Sequence, residues 1–562
     1  MNLLGKAADP AFWSDTVRNN DCYRGYLEER HEDWNKYCEN QPITEAKYKD
    51  FKQFFVTGDR SAFESVYFFR RAQLATSAVM ALIYPEEEKY IDFLNDIIFA
   101  ICNEYTWSVS AHHPKLEAYD KTFIDLFAAE TGFALAEIYT IFGDRLDTLI
   151  RERIRVEINE RIIDSFMSER YFWWEKRCTN NWTAVCGGSV GATFMLMRPE
   201  LFPTVKPRLD KLMEAFLSGF CSDGYCLEGT SYWHYGFGYF ITYADMLKIF
   251  TGGNEDYFRL EKVKNIATFL QKMFLTEKCA VSFADGESTL RYHIGILHYL
   301  KKLYPSDVKV YSPKLSYYRD ACFRFALLLR SATWLDEDIY NNPEPDGNDA
   351  EYYAEESKWY VKRNESYGFA AKAGFNNEHH NHNDVGTFIF AKCGKQLITD
   401  MGKGVYSKQY FRKETRYSSF IECSSMGHNV PYFDGIEQKF GDEYSASDVK
   451  YSKGCLSMDI AGAYGDERIR SVKRVFLAKE DSVTVRDSFD VCDGTAITER
   501  LVSLYQPKIL DGSVKIESCE MFFDKSVCDV ACTKTEKSDG KSVYLIDFKL
   551  KANEHSFEIV IK

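Results

Sequence analysis

Three histidines fall within four positions, at His379, His380 and His382, in the run GFNNEHHNHNDVGTFIF over residues 374–390 of a chain with 11 histidines in all. On an extended strand, residues two apart share a face, so a strand here would project His380, His382 and Asp384 together. Asp400 follows eighteen residues after His382, at the end of LITDMG, and His428 lies twenty-eight residues further on, in SSMGHNVPYFDG. Two imidazoles and a carboxylate suit Zn2+. The competing reading is a polar hairpin whose histidines only hydrogen-bond locally. Three histidines beside Asn and Asp favour a functional site over it.

Two further runs carry groups able to donate and accept protons. In CSDGYCLEGTSYWHYGFGYF, residues 221–240, a helix would set Glu228, Tyr232, Tyr235 and Tyr239 on one face, with His234 beside them. A buried Tyr stripe is usually packing, but the Glu, His and three Gly around this one make mere core less apt. In CTNNWTAVCGGSVG, residues 178–191, Asn180, Asn181 and Trp182 precede a small-residue run and mark a helix entry, where either Asn would serve as an N-cap. No Gly-rich phosphate loop, G-x-S-x-G elbow or H-E-x-x-H is present. Acidic residues are plentiful, so a glycosidase carboxylate pair stays open.

The formal net charge of −14 and the lack of a Lys/Arg run exclude a nucleic-acid footprint. The same sign disfavours steering of a long polyanion and suits a short oligosaccharide caught by a few local cations. Aromatic residues reach 16%, with 37 Tyr and 42 Phe, which core packing accounts for more readily than sugar stacking. The first residues do not read as a signal peptide, and no run of about 20 apolar residues suggests a membrane span. The 16 Cys have no C-x-x-C spacing and read as reduced thiols, so a cytoplasmic location is expected.

These groups have to be positioned by two kinds of element. Residues 1–335 carry apolar positions at three- and four-residue steps, as in 133–170, KPRLDKLMEAFLSGFC, KVKNIATFLQKMFL and HIGILHYLKKLY, and predict paired helices. No fixed repeat stands out, so an α/α toroid is preferred to a solenoid. Residues 336–355, into which the turn-rich NNPEPDGNDAEYYAEES run from Asn341 falls for most of its length, read as a linker. Residues 356–562 turn to short runs alternating at period two and predict an antiparallel β-sandwich. The expected fold is therefore multidomain α+β, an N-terminal toroid followed by a C-terminal sandwich.

Taken in order, NNW, DGYCLEGTSYWHYG, HHNHNDVGTFIF, DMG and GHNVPYFDG resemble the heparinase II/III-like family of polysaccharide lyases, over about 250 residues from 180 to 434. The H-x-H-x-D-x-G run with H-N-V-P is the specific part. The family implies the same toroid and sandwich, a cleft between them, and β-elimination at uronic-acid glycosidic bonds, giving a C4–C5 unsaturated product. That chemistry needs one group to neutralise the C6 carboxylate, a base for the C5 proton and an acid for the departing O4. By resemblance, Asn181 matches the neutralising Asn, Tyr235 the catalytic Tyr, and His380 the His that assists neutralisation or acts as base. His382, Asp400 and His428 match ligands of a structural Zn2+, with another divalent metal left open.

The chain departs from the pattern at Trp182, where some members have His, which moves that burden to His380 or His234. The register of EGTSYWHYG also leaves Tyr232 open as the catalytic Tyr. Trp182, Tyr232, His234, Glu228, Tyr406, Arg412, Arg416 and Tyr417 are taken as substrate contacts. The expected partner is a uronic-acid-containing oligosaccharide, trimmed exolytically, with neither nucleic acid nor membrane; a homo-oligomer stays open. The alternatives are a glycoside hydrolase on a similar toroid and a non-catalytic glycan-binding protein.

Overall fold

A helix that is apolar all round must be packed all round, and the helical half is built on such helices. The computed structural model describes residues 2–562 except 114, 117–119, 169, 277–278, 290–292, 312–319, 321 and 345–348. The chain forms two compact units. The first comprises Met1–Gly219, Trp233–Lys264 and Arg291–Glu344, and the second Phe220–Tyr232, Asn265–Leu290 and Pro345–Lys562.

In the first unit, helix Leu126–Phe142 buries 14 of its 17 residues, so it has no solvent face. By length and composition Leu126–Arg145 could cross a membrane, but 78% of its apolar window is buried within the unit, the state of a core helix. It packs on Asn181–Met197, which packs in turn on Phe202–Ser218 and Gly238–Phe250. Helix Ser61–Ile83 packs on Glu88–Cys102 and Arg24–Tyr37, and Phe325–Thr333 on Ile294–Leu303, Leu126–Phe142 and Ser61–Ile83. This is the helix-on-helix α/α toroid. Small residues set the closest approach: a Cβ on Gly191 would lie 2.5 Å from the Tyr243 ring. Within 133–170 the first helix ends at Phe142, where Gly143 takes φ +54°, and the chain resumes at Thr148–Ile158.

The second unit is an antiparallel β-sandwich. A five-stranded sheet runs in the order Ala350–Tyr353, Trp359–Arg363, Gly368–Lys372, Phe388–Lys392, Lys395–Ile398. It shares one core with an eight-stranded sheet, which includes Ile469–Ala478 and Val483–Val491, and a four-stranded sheet, which includes Ile497–Ser503 and Ser542–Leu550. Val483–Val491 alternates buried and exposed residues along most of its length, as a one-sided strand should. Across the core, Arg474 forks onto Asp487 and Glu499 with nitrogen–oxygen distances of 2.8–2.9 Å, all three side chains being fully or almost fully buried.

The expected break at 335 and linker over 336–355 are not what the chain does. It enters the second unit and returns twice before residue 345. The linker stretch holds the helical turn Glu337–Asn341 and the first strand of the five-stranded sheet, while 345–348 lie outside the described residues. The helix expected through KMFL likewise stops at Lys272, and Phe274–Thr276 and Cys279–Ala280 pair as strands beside Gly368–Lys372. A Cβ on Gly368 would lie 2.5 Å from the Leu275 carbonyl oxygen, so this glycine admits the pair. All 16 cysteines are thiols.

Candidate active site and metal centre

His380, His382 and Asp384 do not share a strand face. Residues 377–387 form a succession of turns between Phe375–Asn376 and Phe388–Lys392, with His380 at φ +57°, a conformation costly for a residue with a Cβ. The turns send His380 and His382 to Asp285, and Asp384 to Lys372, whose ammonium lies 2.7 Å away. Gln438 clamps the loop by accepting from the Val385 N–H at 2.8 Å and donating back to the Val385 carbonyl at 2.8 Å. Arg474 adds hydrogen bonds to the carbonyls of Gly386 (2.9 Å) and Asn429 (2.8 Å), tying both histidine-bearing loops to the sandwich core.

The three residues read from sequence as metal ligands converge. Ligand atoms of His382, Asp400 and His428 lie within 4.8 Å of one another, and all three side chains are buried. His428 Nδ1 is 3.2 Å from Asp400 Oδ2, and His382 Nδ1 is buried without a hydrogen-bond partner. The outer nitrogens are engaged, His382 Nε2 with Asp285 Oδ1 at 3.1 Å and His428 Nε2 with the Glu422 carbonyl at 2.9 Å. Imidazoles tied this way present Nδ1 inward as lone pairs, the arrangement a metal needs. Burial holds His382 towards its neutral form, while burial of Asp400 is outweighed by the facing histidines, which favour its carboxylate. At His428 burial is outweighed by Asp400, which shifts it the other way, towards its protonated form, a proton that a metal would displace. Two imidazoles plus a carboxylate are a donor set that fits Zn2+.

Asp285, which the sequence reading did not single out, is the hub of this unit. Its Oδ1 accepts from His382 Nε2 (3.1 Å), Tyr410 OH (2.5 Å) and Arg416 Nη2 (3.1 Å), and its Oδ2 from His380 Nδ1 (2.6 Å) and Tyr406 OH (3.0 Å). Burial opposes its charge, but these donors outweigh burial and hold its carboxyl well below the usual range. Tyr406 also shares a hydrogen bond of 2.7 Å with Tyr232, whose ring stacks on His380 at 4.1 Å. Glu228 lies 3.8 Å from His380 Nε2. Arg416, expected to touch substrate, is instead spent within the protein: its nitrogens bond Asp285 and the carbonyls of His380, Asn381 and Tyr410. Arg412 is exposed, and Tyr417 stacks on Phe440 at 4.9 Å.

The first unit holds the other group. Asn180 caps its helix by accepting from the Trp182 N–H, which leaves Asn181 as the first helical residue, 4% exposed. Tyr235 sits in the π-turn Trp233–Phe237, and its hydroxyl donates to Glu130 of the core helix. The two segments touch: a Cβ on Gly236 would lie 3.1 Å from Asn181 Cα and Cβ. Arg324 lies over the Tyr235 ring, 3.7 Å from its centroid, and donates to Glu130 at 3.2 Å. Burial raises the Glu130 carboxyl to about 7, against the pull of Arg324 and the Tyr235 hydroxyl. Burial and Glu130 likewise push the Tyr235 phenol well up, with Arg324 opposing.

The face expected for Glu228, Tyr232, Tyr235 and Tyr239 is therefore divided. Glu228 precedes the helical turn Thr230–Tyr232, Tyr232 belongs to the second unit, and Tyr239 is buried edge-on to Tyr235 at 5.9 Å. His234 is buried against Trp233. Trp182 meets His112 edge-on at 4.7 Å and Trp173 at 4.6 Å. His112 in turn is bonded through Nδ1 to Asp125 at 2.7 Å, an oriented imidazole that no motif announced.

Comparison of the sequence with protein-family models finds no match, and comparison with curated proteins finds none. The fold does have solved counterparts. A heparinase III structure superposes with a TM-score of 0.61 at 13% identity, covering 98% of this chain and 93% of that one. Heparan sulfate lyase HepC from Pedobacter heparinus gives 0.58 at 13% identity, with 100% and 87% covered. Chondroitin AC lyase from Streptomyces coelicolor, seen in complex with chondroitin sulphate, gives 0.56 at 9% identity, with 100% and 82% covered. The fold is thus the toroid-plus-sandwich of heparinase-like polysaccharide lyases.

Proposed function

We propose that this chain is a polysaccharide lyase that cleaves uronic-acid glycosidic bonds by β-elimination, working exolytically on oligosaccharides. The observation that carries the reading is Tyr235, a buried phenol bonded to Glu130 beneath Arg324, with the next residue, Gly236, packed against Asn181. Arg324 opposes the upward push that burial and Glu130 put on the phenol, and Glu130, the acceptor of the Tyr235 hydroxyl, is the group placed to relay its proton. Asn181 is assigned the C6 carboxylate, Tyr235 the proton to and from the sugar, and His380 assistance to neutralisation or the second proton-transfer role. His382, Asp400 and His428 would hold a Zn2+, whose charge would fix the loop that carries His380.

A panel of alginate-, heparan- and chondroitin-type oligosaccharides tests this by ultraviolet absorbance. Growth of the conjugated C4–C5 double bond is expected with at least one of them. Reducing ends appearing without that absorbance would point to hydrolysis instead. Exolytic action predicts the smallest unsaturated product from the first moments, and mid-length products from a long polymer would contradict it.

Glu130 gives a pH test. The carboxyl is raised to about 7 and accepts the Tyr235 proton only when ionised, so activity should climb with rising pH through about 7. Glu130→Gln should remove that limb and lower kcat roughly ten- to a hundredfold, the worth of about 1.5–3 kcal/mol for a hydrogen bond to a charged group. A variant that keeps the wild-type limb would take Glu130 out of the proton path.

A further inference from the structure

To act as a base on a sugar, His380 needs one ring nitrogen unprotonated and aimed, and the structure assigns that task to Asp285. We propose that Asp285 is a positioning residue that holds the proton of His380 on Nδ1 and keeps Nε2 as the working nitrogen, while binding the metal-ligand candidate His382 with its other oxygen. The inference rests on the reading of His380 as the group that takes a proton from the substrate.

The argument is one of donors and acceptors. An ionised carboxylate only accepts, so each of the five groups around Asp285 must present a hydrogen to it. His380 meets Oδ2 through Nδ1 at 2.6 Å, which puts a proton there, so in the neutral ring Nε2 is the lone-pair nitrogen, with the Glu228 carboxylate 3.8 Å from it. The ring is further held by a closed circuit: it stacks on Tyr232, Tyr232 bonds Tyr406, and Tyr406 returns to Oδ2 at 3.0 Å. Arg416 bonds Oδ1 and the His380 carbonyl at 3.1 Å each, so the carboxylate and the backbone of the residue it orients are gripped by one guanidinium.

The carboxylate itself is delivered by a tight approach of three chain segments. Ala284, just before it, takes φ +58°. Gly286, just after it, is met by Gly402 and Gly229, where an added Cβ would lie 2.3 Å and 3.1 Å from Gly286 atoms. Gly402 is two residues past Asp400, and Gly229 adjoins Glu228, so the backbone that places Asp285 is the one that places its neighbours. Nothing in this depends on the metal, although His382 Nε2–H on Oδ1 would keep the metal-facing nitrogen free as well.

The two oxygens make the test sharp. In Asp285→Asn the single amide oxygen should settle on the side of Oδ1, where Arg416, Tyr410 and His382 all donate. The amide NH2 would then face His380 Nδ1, which must become an acceptor, and the proton must move to Nε2. Ring 15N spectra of histidine-labelled full-length protein, with His380 assigned by difference against His380→Ala, should show Nδ1–H in the wild type and Nε2–H in Asp285→Asn. The variant should keep its metal within the roughly 10–100-fold affinity range of an outer partner. Its kcat should fall about 100-fold or more with KM within about threefold, as for loss of an imidazole-orienting carboxylate.

A wild-type His380 protonated on Nε2 would overturn the proposal, whether or not the variant folds. So would an Asp285→Asn enzyme with unchanged tautomer and unchanged kcat. A wild type that has the Nδ1–H form but gives no unsaturated product from any uronate would remove the elimination reading and leave the hold of Asp285 on His380 supported.

Discussion

Tyr235→Phe is expected to lower kcat about 10²–10⁴-fold, the usual range for a positioned general acid–base, while the protein stays folded. The substitution removes one oxygen from a fully packed site. It leaves the ring under Arg324, the π-turn and the contact of Gly236 with Asn181. Glu130 loses its phenolic donor but keeps Arg324, so no buried carboxylate is stranded. Circular dichroism and the melting temperature should change little. Tyr232→Phe is the necessary companion, because Tyr232 stacks on His380 and bonds Tyr406. If it is Tyr232→Phe that abolishes turnover and Tyr235→Phe that retains near-wild-type kcat, the catalytic role belongs to Tyr232.

The second large effect is expected at the metal centre. Metal analysis of the purified protein should find close to one equivalent of a divalent ion, Zn2+ by the donor set, and His382→Ala should lose it. Removing an imidazole from three converging buried ligands leaves two, too few to hold the ion in a closed site. At free metal a hundredfold above its Kd, binding stabilises the folded state by about 2.7 kcal/mol, so the variant and chelator-treated wild type should both melt earlier. Wild type that contains no metal and does not respond to added Zn2+ would remove the ion from the account. His380→Ala, two residues away, should retain the metal and lose turnover, which separates bracing from chemistry.

How much of this was legible in the sequence depends on the range of each cue. Period 3.6 and period 2 patterns are local, and they gave the toroid and the sandwich. The convergence of His382, Asp400 and His428 was legible because they stand out by residue type, even though the strand assumed for residues 380–384 is a run of turns. The face drawn through Glu228, Tyr232, Tyr235 and Tyr239 failed because the helix there starts at Thr230, tightens into a π-turn, and passes from one unit to the other between Tyr232 and Trp233.

Asp285, Glu130 and Arg324 escaped notice for a different reason. A lone Asp in SFADGES, a Glu inside an apolar helix and an Arg before another helix carry no pattern of their own. Their meaning comes from partners 95, 105 and 194 residues away along the chain. The available signal was Glu130 itself, which with Glu137 is one of two charges on an otherwise apolar helix and has to be paired when the helix is buried. Arg416 was noticed by type, but its guanidinium is buried and spends four of its five N–H groups on Asp285 and three carbonyls, a structural task that residue type does not reveal.

The central claim, elimination rather than hydrolysis, is tested most directly by weighing the products of one defined uronate oligosaccharide by mass spectrometry. Elimination adds no water, so the masses of the two fragments should sum to that of the substrate, with the unsaturated uronate on one of them. Fragments whose masses sum to the substrate plus one water would contradict the account and make the enzyme a hydrolase.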